Sequence, residues 1–130
     1  MIALTKSLAL AAPTGPAAVA WPTPALLALP EKVLQFGTGV LLRGLPDFLI
    51  DQANRRGVFN GRIVVVKSTA GGELAAFARQ DNLYTVAVRG LTNSQPVAEN
   101  VVCASISRVL WPRASGPRCW PSPPVPSCGW

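Results

Sequence analysis

The clearest pattern of apolar and polar positions lies between residues 31 and 110. Residues 32–36, KVLQF, are a short and mostly apolar run, which predicts a strand that ends at Gly37. After a turn, four apolar residues recur at helical spacing: Leu45, Phe48, Leu49 and Ala53. A second run at 62–67, RIVVVK, is rich in β-branched residues and predicts a strand that is covered on both faces. Strand, helix and strand in this order predict a βαβ unit.

The predicted helix has recognisable ends. Asp47 lies near its beginning and Arg55 and Arg56 lie near its end, which is the polarity that a helix dipole favours. Pro46 would remove a hydrogen bond from a helix interior, so we expect a loose first turn and a regular helix only from about Pro46. Gly57 supplies the stop.

The rest of this stretch predicts a short helix at 71–80, a strand at 83–89, a turn around 92–95 and a further strand within 97–110. The last pair of strands resembles a hairpin that is appended to a parallel sheet. The predicted fold class is therefore α/β, with an incomplete Rossmann-type parallel sheet, an appended β-hairpin and irregular termini.

The two flanks differ from the middle in composition. Residues 1–30 predict an Ala/Pro-rich N-terminal arm, because five prolines exclude a long helix. The apolar run after Lys6 faintly imitates a signal peptide, but it is too short and Pro13 interrupts it, so we expect a cytoplasmic location and no membrane partner. Residues 111–130 hold six of the 13 prolines and three of the four tryptophans, which predicts an irregular Pro/Trp-rich tail.

Composition limits the chemistry. A chain of 130 residues suffices for one domain or part of one. The net charge of +6 would suit a polyanion, but Lys and Arg gather into no run, so we expect no nucleic-acid partner. Three cysteines without CxxC spacing and the absence of histidine predict neither a metal site nor a disulfide framework. Without histidine the chain also lacks the commonest general base.

The segment at 37–44, GTGVLLRG, carries the first two glycines of the dinucleotide fingerprint, directly after one strand and before one helix. Gly37 would permit the tight turn, and Gly39 would let backbone N–H groups approach a pyrophosphate at the positive end of the helix. The third fingerprint glycine is replaced by Leu42, so the match is imperfect. The alternative is a tight turn in some other α/β domain. The expected pyrophosphate contacts are Gly37, Thr38, Gly39, Val40, Leu41 and the charged Arg43.

The end of the second predicted strand is the other place where a dinucleotide would make contact, because an acidic residue there commonly binds the ribose 2′-hydroxyl. Lys67 and Ser68 stand at this position and are expected to face the adenosine end. A lysine would suit a 2′-phosphate, and hence NADP, but a solvated lysine is the competing interpretation. We expect NAD, with NADP not excluded.

Three runs resemble a known family: LPEKVLQFGTGVLLRGLPDFLIDQAN, GRIVVVKST and RQDNLYTVAVRG. They are similar to the N-terminal domain of tagaturonate reductases (altronate oxidoreductases), in the mannitol dehydrogenase family. The motifs that carry the resemblance are GxGxxxRG at 37–44 and QDxLYT at 80–85. Gln80, Asp81, Leu83, Tyr84 and Thr85 form the second motif, either as a loop beside the cofactor or as a structural turn. The resemblance implies hydride transfer between a nicotinamide dinucleotide and a sugar acid.

The resemblance covers roughly residues 29–110, which are expected to form a partial NAD(P)-binding Rossmann domain. It also implies a catalytic lysine, asparagine and histidine in a further helical domain, so no catalytic residue is expected in this chain and the sugar-acid substrate belongs to the full-length enzyme. Trp, Pro, Arg, Ala, Ser, Gly and Cys dominate residues 111–130, and their codons can be rich in G and C, so translation in a shifted reading frame would explain this composition.

For the function of the chain, the alternative is a non-enzymatic nucleotide-binding or proline-rich interaction module. With part of a sheet uncovered, we also expect marginal stability.

Overall fold

A computed structural model describes residues 5–11, 19–67 and 74–111 of the chain. The elements in chain order are α1 (Lys6–Ala11), β1 (Val19–Ala20), α2 (Pro24–Leu27), β2 (Glu31–Phe36), α3 (Val40–Gly44), α4 (Pro46–Arg55), β3 (Arg62–Val66), α5 (Leu74–Arg79), β4 (Tyr84–Thr92), β5 (Gln95–Cys103) and β6 (Ile106–Leu110). Four predictions fall wholly or partly outside these ranges: the N-terminal arm at 1–30, Ser68, the start of the helix at 71–80, and the tail beyond Trp111. Within the described ranges, no helix is long and apolar enough to cross a membrane.

A parallel sheet with strand order β2-β3-β6 carries the fold. Phe36 of β2 pairs with Val66 of β3, and Val66 pairs with Leu110 of β6, so the three strands end at one edge of the sheet. With α3 and α4 between β2 and β3, the predicted βαβ unit is confirmed. Three successive parallel strands with the first at the outside are the arrangement of one half of a doubly wound Rossmann sheet.

The predicted hairpin is also confirmed, and it belongs to a second sheet with strand order β1-β5-β4. β4 and β5 pair antiparallel, and Asn93 and Ser94 connect them with positive φ angles of 50° and 62°. Positive φ at both central residues is typical of the tight hairpin turn that matches strand twist. The further strand expected within 97–110 is divided between β5, which completes the hairpin, and β6, which returns to the parallel sheet.

The N-terminal region contributes to this second sheet. β1 pairs parallel with β5, and Leu26 of α2 is buried. Thr23 is the N-cap of α2, where its hydroxyl accepts the backbone N–H of Leu26, and Pro24 is the first residue of the helix. The prolines keep the helices short, as predicted, but the described part of the arm packs against the domain.

The core lies between the parallel sheet, α4 and the hairpin. Ile63, Val65, Val101, Cys103 and Ile106 are its most buried apolar side chains. β3 is buried along most of its length, with Ile63, Val64 and Val65 at most 7% exposed, so its predicted cover on both faces is confirmed. β2 differs, because Leu34 and Phe36 are 59% and 67% exposed. This apolar strand forms an open edge within the described residues.

The regular helix expected from Pro46 is confirmed, and its Phe48 packs against the core, but the residues that α4 buries most fully are polar. Leu45 and Leu49 are exposed, whereas the residues that α4 buries are Asp47, Asp51 and Asn54. The reason is that these polar side chains form hydrogen bonds, one of them long-range. Asp51 accepts the backbone N–H of Ala104 at 2.8 Å, and its other carboxylate oxygen accepts the Nε hydrogen of Arg55 at 2.6 Å. The helix is therefore joined to the end of β5 by polar contacts.

Candidate functional site

The turn that follows β2 requires a glycine at its first position. Gly37 has a φ angle of +104°, which side chains rarely tolerate, and its N–H donates to the carbonyl of Val66 at 2.8 Å. A Cβ at Gly37 would also approach the Cδ1 atom of Leu42 to 3.2 Å. Leu42, at the position of the third fingerprint glycine, therefore packs against the turn. The turn therefore has room for a leucine where the fingerprint has its third glycine.

Gly39 is free of any such constraint from its neighbours. It is the residue before α3, with extended backbone angles, and it is exposed. A Cβ at Gly39 would meet no described atom within 4 Å. Neither backbone strain nor packing explains this glycine. The open space at Gly39 is what a backbone needs if a ligand is to approach it closely.

The helix after the turn is divided in two. α3 spans only Val40–Gly44, and Leu45 has non-helical backbone angles, so the helix is interrupted there before α4 begins at Pro46. A proline at this first position loses no intrahelical hydrogen bond, so Pro46 does not disrupt α4. Val40 and Leu41 are each 76% exposed, so this part of the expected site is open to solvent.

Two polar side chains lie beneath the turn. The Nε2 group of Gln35, near the end of β2, donates to the carbonyl of Gly37 at 3.3 Å and to Oδ2 of Asp47 at 3.2 Å. Asp47 is completely buried, and its Oδ1 atom has no hydrogen-bond partner among the described residues. Burial raises the pKa of Asp47, although the hydrogen bond from Gln35 and the charge of Arg43 oppose the rise.

Little in the sequence indicates this pair. Asp47 has the pattern of a favourable charge in the first helical turn, and Gln35 is one position in a mostly apolar strand. The available signal was a glutamine two positions before Gly37, where an apolar residue would be expected in a strand of this composition.

The fold brings the two family motifs together. A cleft of about 310 Å³ lies between α3 and β4, lined by Val40, Arg43, Gly44, Tyr84, Thr85 and Val86. The Cζ atom of Arg43 lies 5.3 Å from the centre of the Phe77 ring, close enough for a cation–π contact. The guanidinium is thereby held at the side of the cleft.

The QDxLYT segment is chiefly structural. Leu83 and Tyr84 are buried, and the Tyr84 hydroxyl lies 3.2 Å from the hydroxyl of Ser105. Burial raises the pKa of Tyr84 far above its ordinary value. Asp81, in a turn with a positive φ angle, accepts the backbone N–H of Lys6. Tyr84 and Thr85 nevertheless line the cleft, and the role of the segment as a loop beside the cofactor stays a prediction.

Lys67 follows β3 at the edge where Gly37 follows β2. Its N–H donates to the carbonyl of Leu110 at 2.8 Å, and its Nζ atom lies 5.9 Å from the centre of the Trp111 ring. The residue is 5% exposed. The interpretation of Lys67 as a solvated lysine is therefore wrong. Ser68, its expected partner, lies outside the described residues.

Arg55 and Arg62 both form hydrogen bonds within the fold. The guanidinium of Arg55 donates to the carbonyls of Trp21 and Val102 as well as to Asp51. The Arg62 guanidinium donates to the carbonyls of Leu27, Ala104 and Ile106. Neither arginine forms part of an open basic surface. The described residues also contain no cluster of acidic, histidine or cysteine side chains that could hold a metal ion.

Comparison with curated proteins supports the resemblance noted in the sequence. An altronate oxidoreductase from Halalkalibacterium halodurans is 47% identical over 85 residues, which are 65% of this chain and 17% of that protein. An altronate oxidoreductase from Bacillus subtilis is 42% identical over 79 residues, or 61% of this chain and 16% of that protein. The chain resembles altronate oxidoreductases. It spans about one sixth of the length of these relatives. No family model matches the chain.

Solved structures confirm the fold. Mannitol 2-dehydrogenase from Pseudomonas fluorescens, in a ternary complex with NAD and D-mannitol, superposes with a TM-score of 0.69 at 23% identity, over 85% of this chain and 22% of that one. A D-sorbitol dehydrogenase in substrate-free form gives a TM-score of 0.62 at 19% identity, with the same coverage. The predicted Rossmann-type α/β fold is therefore confirmed.

Proposed function

We propose that residues 31–110 form part of the NAD-binding domain of an oxidoreductase. The observation that carries the proposal is the glycine turn at Gly37 and Gly39, which stands at the carboxyl edge of a parallel sheet with open space at Gly39. Ligands of open α/β sheets bind at this edge. In this division of the chain, residues 1–30 are an N-terminal arm and residues 111–130 are a tail outside the cofactor domain.

The expected contacts follow from the geometry of the turn. Backbone N–H groups of residues 37–41 are proposed to bind the pyrophosphate, with Arg43 providing a positive charge beside it. Lys67 and Ser68 are proposed to face the adenosine end, since β3 ends next to β2. NAD is the favoured cofactor, because the similar Pseudomonas fluorescens enzyme was solved with NAD. NADP is the competing outcome that the lysine at position 67 suggests.

We assign the reaction from the similarity to altronate oxidoreductases. Hydride transfer between the nicotinamide ring and a sugar acid, interconverting tagaturonate and altronate, is proposed for the full-length enzyme. Residues 31–110 are proposed to supply cofactor binding only, since the aligned residues amount to 17% of the relative from H. halodurans and contain no histidine. A reducing, cytoplasmic location is proposed with it, and the free buried thiol of Cys103 is compatible with that location.

The test is a fluorescence titration of the chain with NADH, with NADPH in parallel. Gly39→Glu would place a carboxylate where the phosphates are proposed to lie, and we expect it to weaken binding by at least about tenfold, or ~1.4 kcal/mol. Gly90→Glu is the matched control, because Gly90 is also exposed and a Cβ there would also meet no described atom within 4 Å. We expect Gly90→Glu to bind like the wild type.

Three results would contradict the proposal. A folded wild-type chain that binds neither NADH nor NADPH would refute the cofactor site, and equal affinity in the Gly39→Glu variant would refute its location. Turnover of tagaturonate with NADH by this chain alone would refute the claim that it supplies binding without catalysis.

A further inference from the structure

The carbonyl of Gly37 has a fixed direction. It accepts a hydrogen bond from the side-chain amide of Gln35, which places it on the inner side of the turn. The described chain has no cis peptide bonds, and in a trans peptide the C=O and N–H groups point in opposite directions. The N–H of Thr38, which belongs to the same peptide unit, therefore points away from Gln35.

This direction matters because a peptide next to a glycine rotates easily. Gly37 has no Cβ to restrict the rotation, so the peptide plane between Gly37 and Thr38 has little intrinsic preference for one direction. If it were reversed, the carbonyl would face outward and would present a partial negative charge to a bound anion. An inward carbonyl presents the N–H donor instead. The hydrogen bond from Gln35 selects the second arrangement.

Asp47 fixes the orientation of the Gln35 amide in turn. The Gly37 carbonyl and the Asp47 Oδ2 atom are both acceptors, so the NH2 end of the amide faces both of them. Asp47 reaches this place because α4 begins at Pro46 and buries its first turn against the sheet. The chain Asp47, Gln35 and Gly37 thus joins the start of α4 to the glycine turn.

Stability alone gives no reason for a carboxyl group here. Asp47 is completely buried, and its Oδ1 atom has no hydrogen-bond partner among the described residues. Burying a polar atom without a partner costs free energy. An apolar residue would avoid this cost, but it would leave the amide of Gln35 without its second acceptor.

We propose that Gln35 and Asp47 are positioning residues of the dinucleotide site, which turn the Thr38 N–H toward the pyrophosphate by holding the Gly37 carbonyl inward. The inference rests on the proposed function for its ligand, but the direction of the peptide is a property of the chain without any ligand. The two parts can therefore be tested separately.

The first experiment uses the full chain without cofactor. Gln35→Met keeps the length of the side chain and removes both donors, so we expect the carbonyl ¹³C resonance of Gly37 and the amide ¹⁵N resonance of Thr38 to shift and to broaden. Gln52→Met is the matched control, since it makes the same change in the second half of α4, and both resonances should stay in place. Gln35→Leu also removes both donors and replaces Gln35→Met if the latter does not fold.

The second experiment measures NADH affinity in the same variants. We expect Gln35→Met to weaken binding by about tenfold, the effect of losing one well-placed hydrogen bond, while Gln52→Met does not. Asp47→Ala removes the acceptor for Gln35 and should behave like Gln35→Met. Asp47→Asn restores an acceptor oxygen, and it should recover the Gly37 and Thr38 resonances and most of the lost affinity. A residue with a merely structural role would not give this rescue pattern.

Each outcome bears on one part of the proposal. Unchanged Gly37 and Thr38 resonances in Gln35→Met would overturn the positioning role, whatever the cofactor result. Shifted resonances with unchanged NADH affinity would overturn the connection to the pyrophosphate. Failure of the wild-type chain to bind NADH would refute the proposed function, and with it the cofactor role of the pair, while the resonances would still report whether Gln35 directs the peptide.

Discussion

The side chain of Asn54 binds the backbone of Gly61 in both directions. Its Nδ2 group donates to the Gly61 carbonyl at 2.8 Å, and its Oδ1 atom accepts the Gly61 N–H at 3.1 Å. Both bonds are buried, and they join the end of α4 to the start of β3. A Cβ at Gly61 would lie 2.8 Å from the Cβ of Lys32, so the turn also passes close to β2.

Replacing Asn54 by alanine should therefore destabilise the fold. The substitution leaves a buried donor and a buried acceptor of Gly61 without partners, and we expect a loss of about 2 to 4 kcal/mol in the free energy of unfolding. Urea denaturation followed by circular dichroism measures it. Gln52→Ala, two residues earlier in the same helix, is the control and should cost much less. Equal losses in the two variants would contradict a special role for Asn54.

Cys103 should resist alkylation in the folded chain. Burial, together with the nearby charge of Asp51, raises the pKa of its thiol to about 12, against an ordinary value of 9.0. The thiolate fraction at pH 8 is then about a thousandfold lower than in an unperturbed cysteine, and the reaction rate should fall at least as much. Iodoacetamide labelling, followed by mass spectrometry of the peptide that contains Cys103, measures the rate. The same peptide from the urea-unfolded chain should label at an ordinary rate.

Asp47 should make stability depend on pH with a defined sign. Because burial raises its pKa above the ordinary value of 3.8, the folded chain holds the Asp47 proton more tightly than the unfolded chain does. Its contribution to stability is most favourable below that value, and it declines as pH rises through the folded-state pKa. The Asp47→Asn variant, which does not titrate here, should gain stability relative to the wild type over this rise. Urea denaturation between about pH 4 and pH 7 tests it.

Glu31 provides a control of opposite sign. Hydrogen bonds from Arg108 and Ser107 lower the pKa of its carboxyl group. Its contribution is present above the ordinary value of 4.5 and is lost as pH falls through the folded-state pKa. Glu31→Gln should therefore lose stability relative to the wild type at neutral pH and lose less in acid. If the stability of the two variants relative to the wild type changed with pH in the same direction, burial would not raise the pKa of Asp47.

The open edge of β2 should promote association of the chain. Phe36 is 67% exposed on a strand that has no partner on its outer side among the described residues. Phe36→Lys should reduce light scattering of a concentrated sample on mild heating, at little cost in stability. Val58→Lys changes an apolar residue that is even more exposed, at 77%, in the turn after α4, and it should have a smaller effect. If both variants scatter like the wild type, β2 is not the site of association.

The sequence was informative where structure depends on neighbouring residues. Runs of β-branched residues identified β3, the glycines identified the turn after β2, and Pro46 identified the start of α4. The inner side of α4 was not predictable in this way. Asp51 binds the backbone of Ala104, 53 positions along the chain, and only the assembled fold shows that this contact is made.

In the candidate site, too, the local features were predictable and the long-range contacts were not. Gly37 and Gly39 form the expected turn, because the fingerprint is a local pattern that has a local geometric cause. The burial of Lys67 was missed, since it depends on Leu110 and Trp111, more than forty positions later in the sequence. The role of Gln35 was missed as well, because a single polar residue in a strand does not reveal what lies beneath it.

Arg62 has a mechanical consequence for the cleft. Its guanidinium donates to the carbonyls of Ala104 and Ile106, on either side of the point where the chain passes from the hairpin sheet to the parallel sheet. A third bond, to the carbonyl of Leu27, adds the N-terminal region to the same joint. The hairpin carries one wall of the cleft and α3 carries the other, so a hinge motion that widened the cleft would strain all three bonds at once. Arg62 therefore opposes separation of the two sheets at the joint that they share.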